Sequence, residues 1–130
     1  MTVLVGYLPT PAGEAAFAAG LEEARRRGEN LVVLNSPRGG ALVSPDVAAP
    51  DRVAELSSRA EADGVALEVR QGAHDGELAD ELLRVADETD SSVIVIGLRR
   101  RSVVGKLLLG SNAQRILLDA TRPVLAVKPR

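Results

Sequence analysis

The 130-residue sequence contains no cysteine and no tryptophan, and it has only one histidine, one phenylalanine and one tyrosine. Without cysteine the protein can form neither disulfides nor thiolate metal sites, which suits a reducing cytoplasm. The single histidine, His74, has no acidic cluster at ligand spacing, so we interpret it as part of a turn before a helix rather than as a metal ligand. With so few aromatic side chains, the core must be mostly aliphatic.

Long apolar runs and a strong net charge are also missing. No run approaches the roughly 18 residues of a membrane span, and Met1 leads directly into a strand-like segment rather than a secretory signal. The net charge of −2 argues against general nucleic-acid binding. Arg25–Arg27 follow Glu22 and Glu23 at helical spacing, which predicts ion pairs on a solvated helix face. We therefore expect a cytoplasmic protein with neither a nucleic-acid nor a membrane partner.

Five short β-like segments alternate with amphipathic ones. The strand-like segments are residues 2–6, 31–35, 65–70, 92–97 and 123–127, and the helical ones are about 12–27, 50–63, 76–88 and 111 onward. Four strand segments are almost continuously apolar, typical of strands buried on both faces of a parallel sheet, whereas 65–70 alternates and indicates an edge. The pattern predicts one domain over residues 1–130, an α/β three-layer sandwich with a five-stranded, mainly parallel, Rossmann-like sheet.

Local signals refine these elements. Asp75 is a predicted cap of the third helix, and Ser111 with Gln114 fits a capping box at the fourth. The Gly- and Pro-rich residues 36–49 predict a loop. The residues predicted to face the core from the four helices are Phe17, Leu21 and Ala24, then Val53, Leu56 and Ala60, then Leu78, Leu82 and Val85, and finally Ala113, Ile116, Leu117 and Ala120.

Residues 96–118 have the features of a phosphate site. Gly97 ends a buried strand, a basic loop follows, and Gly110 and Ser111 then open a helix. Glycine lets backbone N–H groups approach an anion, and a helix start offers unpaired donors at a positive dipole end. The residues predicted to contact phosphate are Gly97, Arg99, Arg100, Gly110, Ser111 and Asn112. The alternative interpretation is purely structural, with a strand end, a solvated loop, a turn and a helix cap.

The common nucleotide motifs are absent. Gly105 and Lys106 lack the first glycine and the final hydroxyl of a Walker A loop. The chain reads GYLPTPAG after the first strand, where a dinucleotide fingerprint would read G-x-G-x-x-G. Residues 97–111 include no acid or histidine that could act as a general base. An enzymatic role, such as a slow ATPase, is therefore the weakest interpretation, and we predict no catalytic residue.

Residues 96–130 resemble the C-terminal half of the universal stress protein family, and VLVGYLPTPAGEAAF resembles its first strand and turn. Nucleotide-binding members carry G-x-x-G-x9-G-[ST] after the fourth strand. Here Gly97, Gly110 and Ser111 match this motif, and Arg100 replaces the second glycine. The resemblance spans the domain and implies an adenine-nucleotide alpha hydrolase-like fold. It also implies a stress-response regulator that binds an adenine nucleotide such as ATP, and it leaves the need for Mg²⁺ undecided.

Two departures from the family pattern matter. The guanidinium of Arg100 would contact phosphate directly where a glycine would have allowed a backbone approach. Leu8 stands where ATP-binding members commonly have an acidic residue. Adenosine would then depend on apolar and backbone contacts near Tyr7, Leu8 and Asn35. The alternative is a family member that has lost nucleotide binding and acts as a dimeric interaction module.

The resemblance also implies a homodimer built around the last strand. This segment is apolar, and an exposed strand edge is best covered by a partner. The residues predicted to form the interface are Val124, Leu125, Ala126 and Val127.

Overall fold

The computed structural model describes residues 1–36, 48–72, 76–98 and 110–129. Strands and helices alternate through these ranges. In chain order they are β1 (Thr2–Gly6), α1 (Pro11–Arg27), β2 (Asn30–Leu34), α2 (Pro50–Ala62), β3 (Leu67–Arg70), α3 (Leu78–Glu88), β4 (Ser91–Gly97), α4 (Ser111–Asp119) and β5 (Val124–Val127). The predicted α/β alternation is thereby confirmed.

The five strands form one sheet in the order β3-β2-β1-β4-β5, and every neighbouring pair is parallel. The chain begins at β1, adds β2 and β3 on one side, and then crosses to add β4 and β5 on the other. The strand order therefore reverses between β1 and β4, where open α/β sheets form ligand crevices at the carboxyl ends of their strands. β3 lies at an edge, as its alternating pattern predicts.

Two aliphatic layers cover the faces of the sheet. On one face, buried side chains of β1, β2 and β4 pack against α1 and α2, with Phe17 and Leu56 as the large members. On the other face, the intervening strand residues pack against α3 and α4 through Leu82, Val85 and Ile116. Alternate side chains of the central strands pack into one layer or the other, so both faces of each strand are buried. This explains why these strands are almost continuously apolar.

Helix α1 lies very close to the centre of the sheet. A Cβ atom added at Gly20 would lie 2.2 Å from Cγ2 of Val5 in β1, which is far inside van der Waals contact. The helix begins where Thr10 accepts a hydrogen bond from the N–H of Gly13 at 3.1 Å, and it ends at Gly28 in the left-handed conformation. The ion pairs from Arg25 and Arg27 to Glu22 and Glu23 are confirmed.

Three local predictions are wrong. Helix α4 begins at Ser111 itself, with Gly110 as an N-cap that makes no side-chain bond, so the capping box does not form. Helix α3 begins at Leu78, two residues later than expected, because Gly76 has a φ of +77°. Leu117 is 41% exposed rather than buried. His74, Asp75 and residues 37–47 of the predicted loop lie outside the described residues, as do Arg99 and Arg100.

Arg122 connects the turn before β5 to α3 and β4 through hydrogen bonds and an ion pair. Its guanidinium donates to the carbonyl oxygens of Ala86 in α3 at 2.8 Å and Ser91 in β4 at 2.7 Å, and it pairs with Asp87 at 2.9 Å. One side chain therefore joins the C-terminal end of α3, the start of β4 and the turn before β5. Within the described ranges, no helix has the length and apolar content needed to cross a bilayer.

We expect Gly20→Val to lower the free energy of unfolding by about 1–3 kcal/mol, because the added side chain overlaps Val5 and forces α1 away from the sheet. Ala18→Val is the matched control, since Ala18 is exposed on the same helix. Urea titrations of both variants measure the difference. Equal stability of the two variants would show that α1 does not need the close contact.

Candidate functional site

A crevice of about 310 Å³ opens at the carboxyl ends of β1 and β4. The beginnings of α3 and α4 form its other side. Its described lining consists of Gly6, Tyr7, Leu8, Leu34, Ser36, Leu78, Leu82, Ile96, Gly97, Leu98, Gly110, Ser111, Asn112, Ala113 and Ile116. The crevice lies where the strand order reverses, which is the position that parallel α/β sheets use for ligands.

The structure brings most of the predicted site residues into this crevice. Those that line it are Tyr7, Leu8, Gly97, Gly110, Ser111 and Asn112. Asn35 is not among the lining residues. Arg99 and Arg100 lie outside the described residues, so their predicted phosphate contacts stay predictions.

The start of α4 presents backbone donors to the crevice. The first intrahelical bond runs from the N–H of Gln114 to the carbonyl of Gly110 at 3.0 Å. The N–H groups of Ser111, Asn112 and Ala113 therefore have no acceptor within the helix. The first turn of α4 contains no acidic residue, and its N-cap makes no side-chain bond. An anion at this end would meet several N–H groups and the positive end of the helix dipole.

Two glycines at the crevice differ in what they do for the fold. A Cβ atom at Gly97 would lie 2.1 Å from the carbonyl oxygen of Ala12, so glycine is needed there for α1 to reach β4. Gly110 has an ordinary φ of −66°, and a Cβ atom added there would meet nothing within 4 Å. Packing among the described residues therefore does not require glycine at position 110, whereas close approach of a ligand would.

Asn35 is buried, and its side-chain amide bonds to other parts of the protein. It is 1% exposed, its Nδ2 donates to the carbonyl of Tyr7 at 3.0 Å, and its Oδ1 accepts from the N–H of Ala48 at 2.8 Å. The side chain of Gln71 donates to the same oxygen at 3.1 Å and to the carbonyl of Ala48 at 3.0 Å. This network joins the segments that follow β1, β2 and β3, so the role of Asn35 in the structure is to position them.

Tyr7 has a similar structural role on the α1 side of the sheet. Its hydroxyl donates to Glu14, which also pairs with Arg52 at 3.0 Å and Arg59 at 3.4 Å. Its ring meets Phe17 edge-to-face with centroids 6.4 Å apart. Burial and the neighbouring Glu14 carboxylate raise the pKa of the Tyr7 hydroxyl well above its usual range. The phenol therefore stays neutral and holds the segment after β1 against α1.

Sequence reasoning missed the apolar wall of the crevice and one contact between helices. The helical spacing predicts Leu78 and Leu82 to be core residues, yet both also line the crevice. Oδ1 of Asn112 accepts a hydrogen bond from the N–H of Ala79 at 3.2 Å, across 33 positions of the chain. A local sequence pattern cannot predict a contact between residues so far apart in the chain. Among the described residues, no group of three or more His, Cys, Asp or Glu side chains is placed to hold a metal ion.

Comparisons with known proteins agree on one family. A profile of the universal stress protein family matches residues 1–128. A universal stress protein of Mycolicibacterium smegmatis is 44% identical over 127 residues, covering 98% of this chain and 97% of the relative. A universal stress protein of Thermus aquaticus is 31% identical over 134 residues, covering 98% of each chain.

Solved structures give the same result. A universal stress protein from Archaeoglobus fulgidus superposes with a TM-score of 0.82 at 31% identity, covering 98% of each chain. A structure of the universal stress protein from Archaeoglobus fulgidus in complex with dAMP superposes with a TM-score of 0.77 at 27% identity, again over 98% of each chain.

We expect Asn35→Ala to lower the free energy of unfolding by about 2–3 kcal/mol, because it leaves the N–H of Ala48 and the carbonyl of Tyr7 without their buried partner. Asn30→Ala makes the same truncation at an exposed position of β2 and should change stability little. Thermal and urea unfolding of the pair provide the measurement. A mild effect of Asn35→Ala, equal to that of the control, would contradict the structural role.

Proposed function

Because the chain belongs to the universal stress protein family, we propose that it is a cytoplasmic stress-response regulator that binds an adenine nucleotide, ATP in the first instance, in the crevice between β1 and β4. The observation that carries the proposal is the combination of glycine at position 110 and the uncapped N–H groups of α4 beside it. The dAMP complex of the Archaeoglobus fulgidus relative supports the choice of an adenine nucleotide.

The proposed arrangement divides the nucleotide between two parts of the crevice. The phosphates lie against Gly110, Ser111 and Asn112, where the helix dipole and the N–H groups favour negative charge. The adenosine moiety lies against the apolar wall, to which Leu8 and Leu34 belong. Leu8 offers no carboxylate to the ribose or base, so that part of the affinity depends on apolar burial and on backbone groups.

We propose binding rather than hydrolysis. The described lining of the crevice contains no carboxylate and no imidazole, so these residues offer no general base to activate water. The nucleotide then acts as a signal that is read by other proteins. The absence of cysteine fits the reducing compartment in which we place this activity.

We expect Gly110→Val to lose most ATP affinity while folding normally, because the new side chain enters crevice space that none of the described residues fills. Gly72→Val is the matched control, since a Cβ atom at Gly72 also meets nothing within 4 Å but Gly72 does not line the crevice. Titration calorimetry with ATP compares both with the wild type. Unchanged ATP affinity in a folded Gly110→Val protein would place the site elsewhere.

A second part of the proposal is a homodimer through β5. This strand lies at the sheet edge, and all four of its residues are half-buried although no element of the described chain covers its outer side. The carbonyls of Pro123 and Val127 accept from the N–H groups of Ile94 in β4 and of Leu98 directly after it, so these carbonyls face inward. Because alternate residues point to opposite sides of a strand's ladder, the backbone groups of Val124 and Ala126 face the free edge. They are the groups that a second β5 would pair with.

The free edge gives a sharp test of the dimer. We expect Ala126→Pro to produce a folded monomer, because it removes an outward N–H donor and leaves the bonds to β4 intact. Leu125→Pro removes a donor that faces β4 and should destabilise the subunit itself by about 1–3 kcal/mol. Analytical ultracentrifugation with circular dichroism separates the two effects. A wild-type protein that stays monomeric at high micromolar concentration would refute the dimer and leave the nucleotide site untouched.

A further inference from the structure

Asn112 connects the starts of two helices at the crevice. Helix α3 has Glu77 at its N-cap, and the side chain of Glu77 makes no capping bond. The N–H of Ala79 in the first turn of α3 donates instead to Oδ1 of Asn112, at 3.2 Å. Ala79 is 0% exposed, so in the intact protein this N–H depends on Asn112 rather than on water for its acceptor. The Asn112 side chain is therefore the cap of α3, supplied from α4.

This bond determines how the carboxamide is turned. Only the oxygen of an amide can accept from an N–H group, so the contact with Ala79 assigns Oδ1 to α3. The Nδ2 group must then point away from that bond, and Asn112 lines the crevice. Two N–H donors therefore remain on a side chain that belongs both to the crevice lining and to the first turn of α4.

We propose that Asn112 is a phosphate-binding residue that donates a hydrogen bond from Nδ2 to a nucleotide phosphate while its oxygen caps α3. This role rests on the proposed function, because it needs the phosphates at the start of α4. Capping alone does not explain the amide. Aspartate caps helices as well as asparagine does, and its negative charge would favour the start of α3 further. An aspartate would nevertheless turn a phosphate donor into a repelling carboxylate.

The test is Asn112→Asp, which retains an acceptor for Ala79 and exchanges the donor for a negative charge. We expect ATP affinity to fall at least about tenfold, since a charge-assisted bond is replaced by repulsion. The amide of Ala79 should stay as protected from hydrogen exchange as in the wild type. Gln114→Glu is the matched control, because it makes the same chemical change in the first turns of α4 at a residue that does not line the crevice. Its ATP affinity should stay within about threefold of the wild type.

Asn112→Ala completes the series, because it removes both functions. We expect faster exchange of the Ala79 amide together with weaker ATP binding. If Asn112→Asp binds ATP as tightly as the wild type, or if Gln114→Glu loses as much affinity as Asn112→Asp, the role proposed for Nδ2 is wrong although the nucleotide site stands. If the wild-type protein itself does not bind ATP, the proposed function fails and this role fails with it.

Discussion

Helix α1 can lie as close as it does to the centre of the sheet because glycine stands at its tightest contacts. A Cβ atom at Gly13 would lie 1.7 Å from the carbonyl oxygen of Leu8, and one at Gly97 would lie 2.1 Å from that of Ala12. Gly20 makes the corresponding contact with Val5. The Gly97 and Gly20 contacts involve β4 and β1, the strands between which the order reverses, and the Gly13 contact holds α1 against the segment that follows β1. The depth of α1 therefore sets the path of the chain after β1, closes that side of the sheet and leaves the crevice to the side of α3 and α4.

The architecture could be predicted because it depends on patterns that are local. Buried parallel strands require continuous apolar runs, and helices on their faces require apolar residues at helical spacing, so the five strands appear within two residues of their predicted bounds. The residues at which the helices begin were harder to predict from the sequence than the strands. Helix α3 begins at Leu78, and the residue that completes its first turn, Asn112, belongs to another helix. A cap supplied from a distance of 33 positions leaves no sign near the helix that it caps.

Which residues line the crevice could be predicted better than which contacts their polar groups make. Gly97 and Gly110 look alike in the motif, but packing among the described residues requires only the first to be glycine. Asn35 and Tyr7 stand at strand ends, where ligand contacts are expected, yet their polar groups are taken up by Ala48 and Glu14. Sequence spacing indicates which residues reach a crevice, whereas the competition between ligand and protein for each polar group is decided by contacts that are distant along the chain.

That competition has opposite outcomes on the two sides of the crevice. Toward β2 and β3, Asn35, Gln71 and Ser36 bond to one another's segments, and no buried polar side chain of the described residues lacks a partner. Toward α4, the N–H groups of the first turn have no acceptor within the helix. Satisfied networks stabilise the fold, and donors without an acceptor in their helix favour an anion, so under the proposed function one side of the crevice maintains its shape and the other supplies affinity. Under that proposal a ligand binds and leaves without breaking the bonds that hold the strand ends in place, as a reversible nucleotide signal requires.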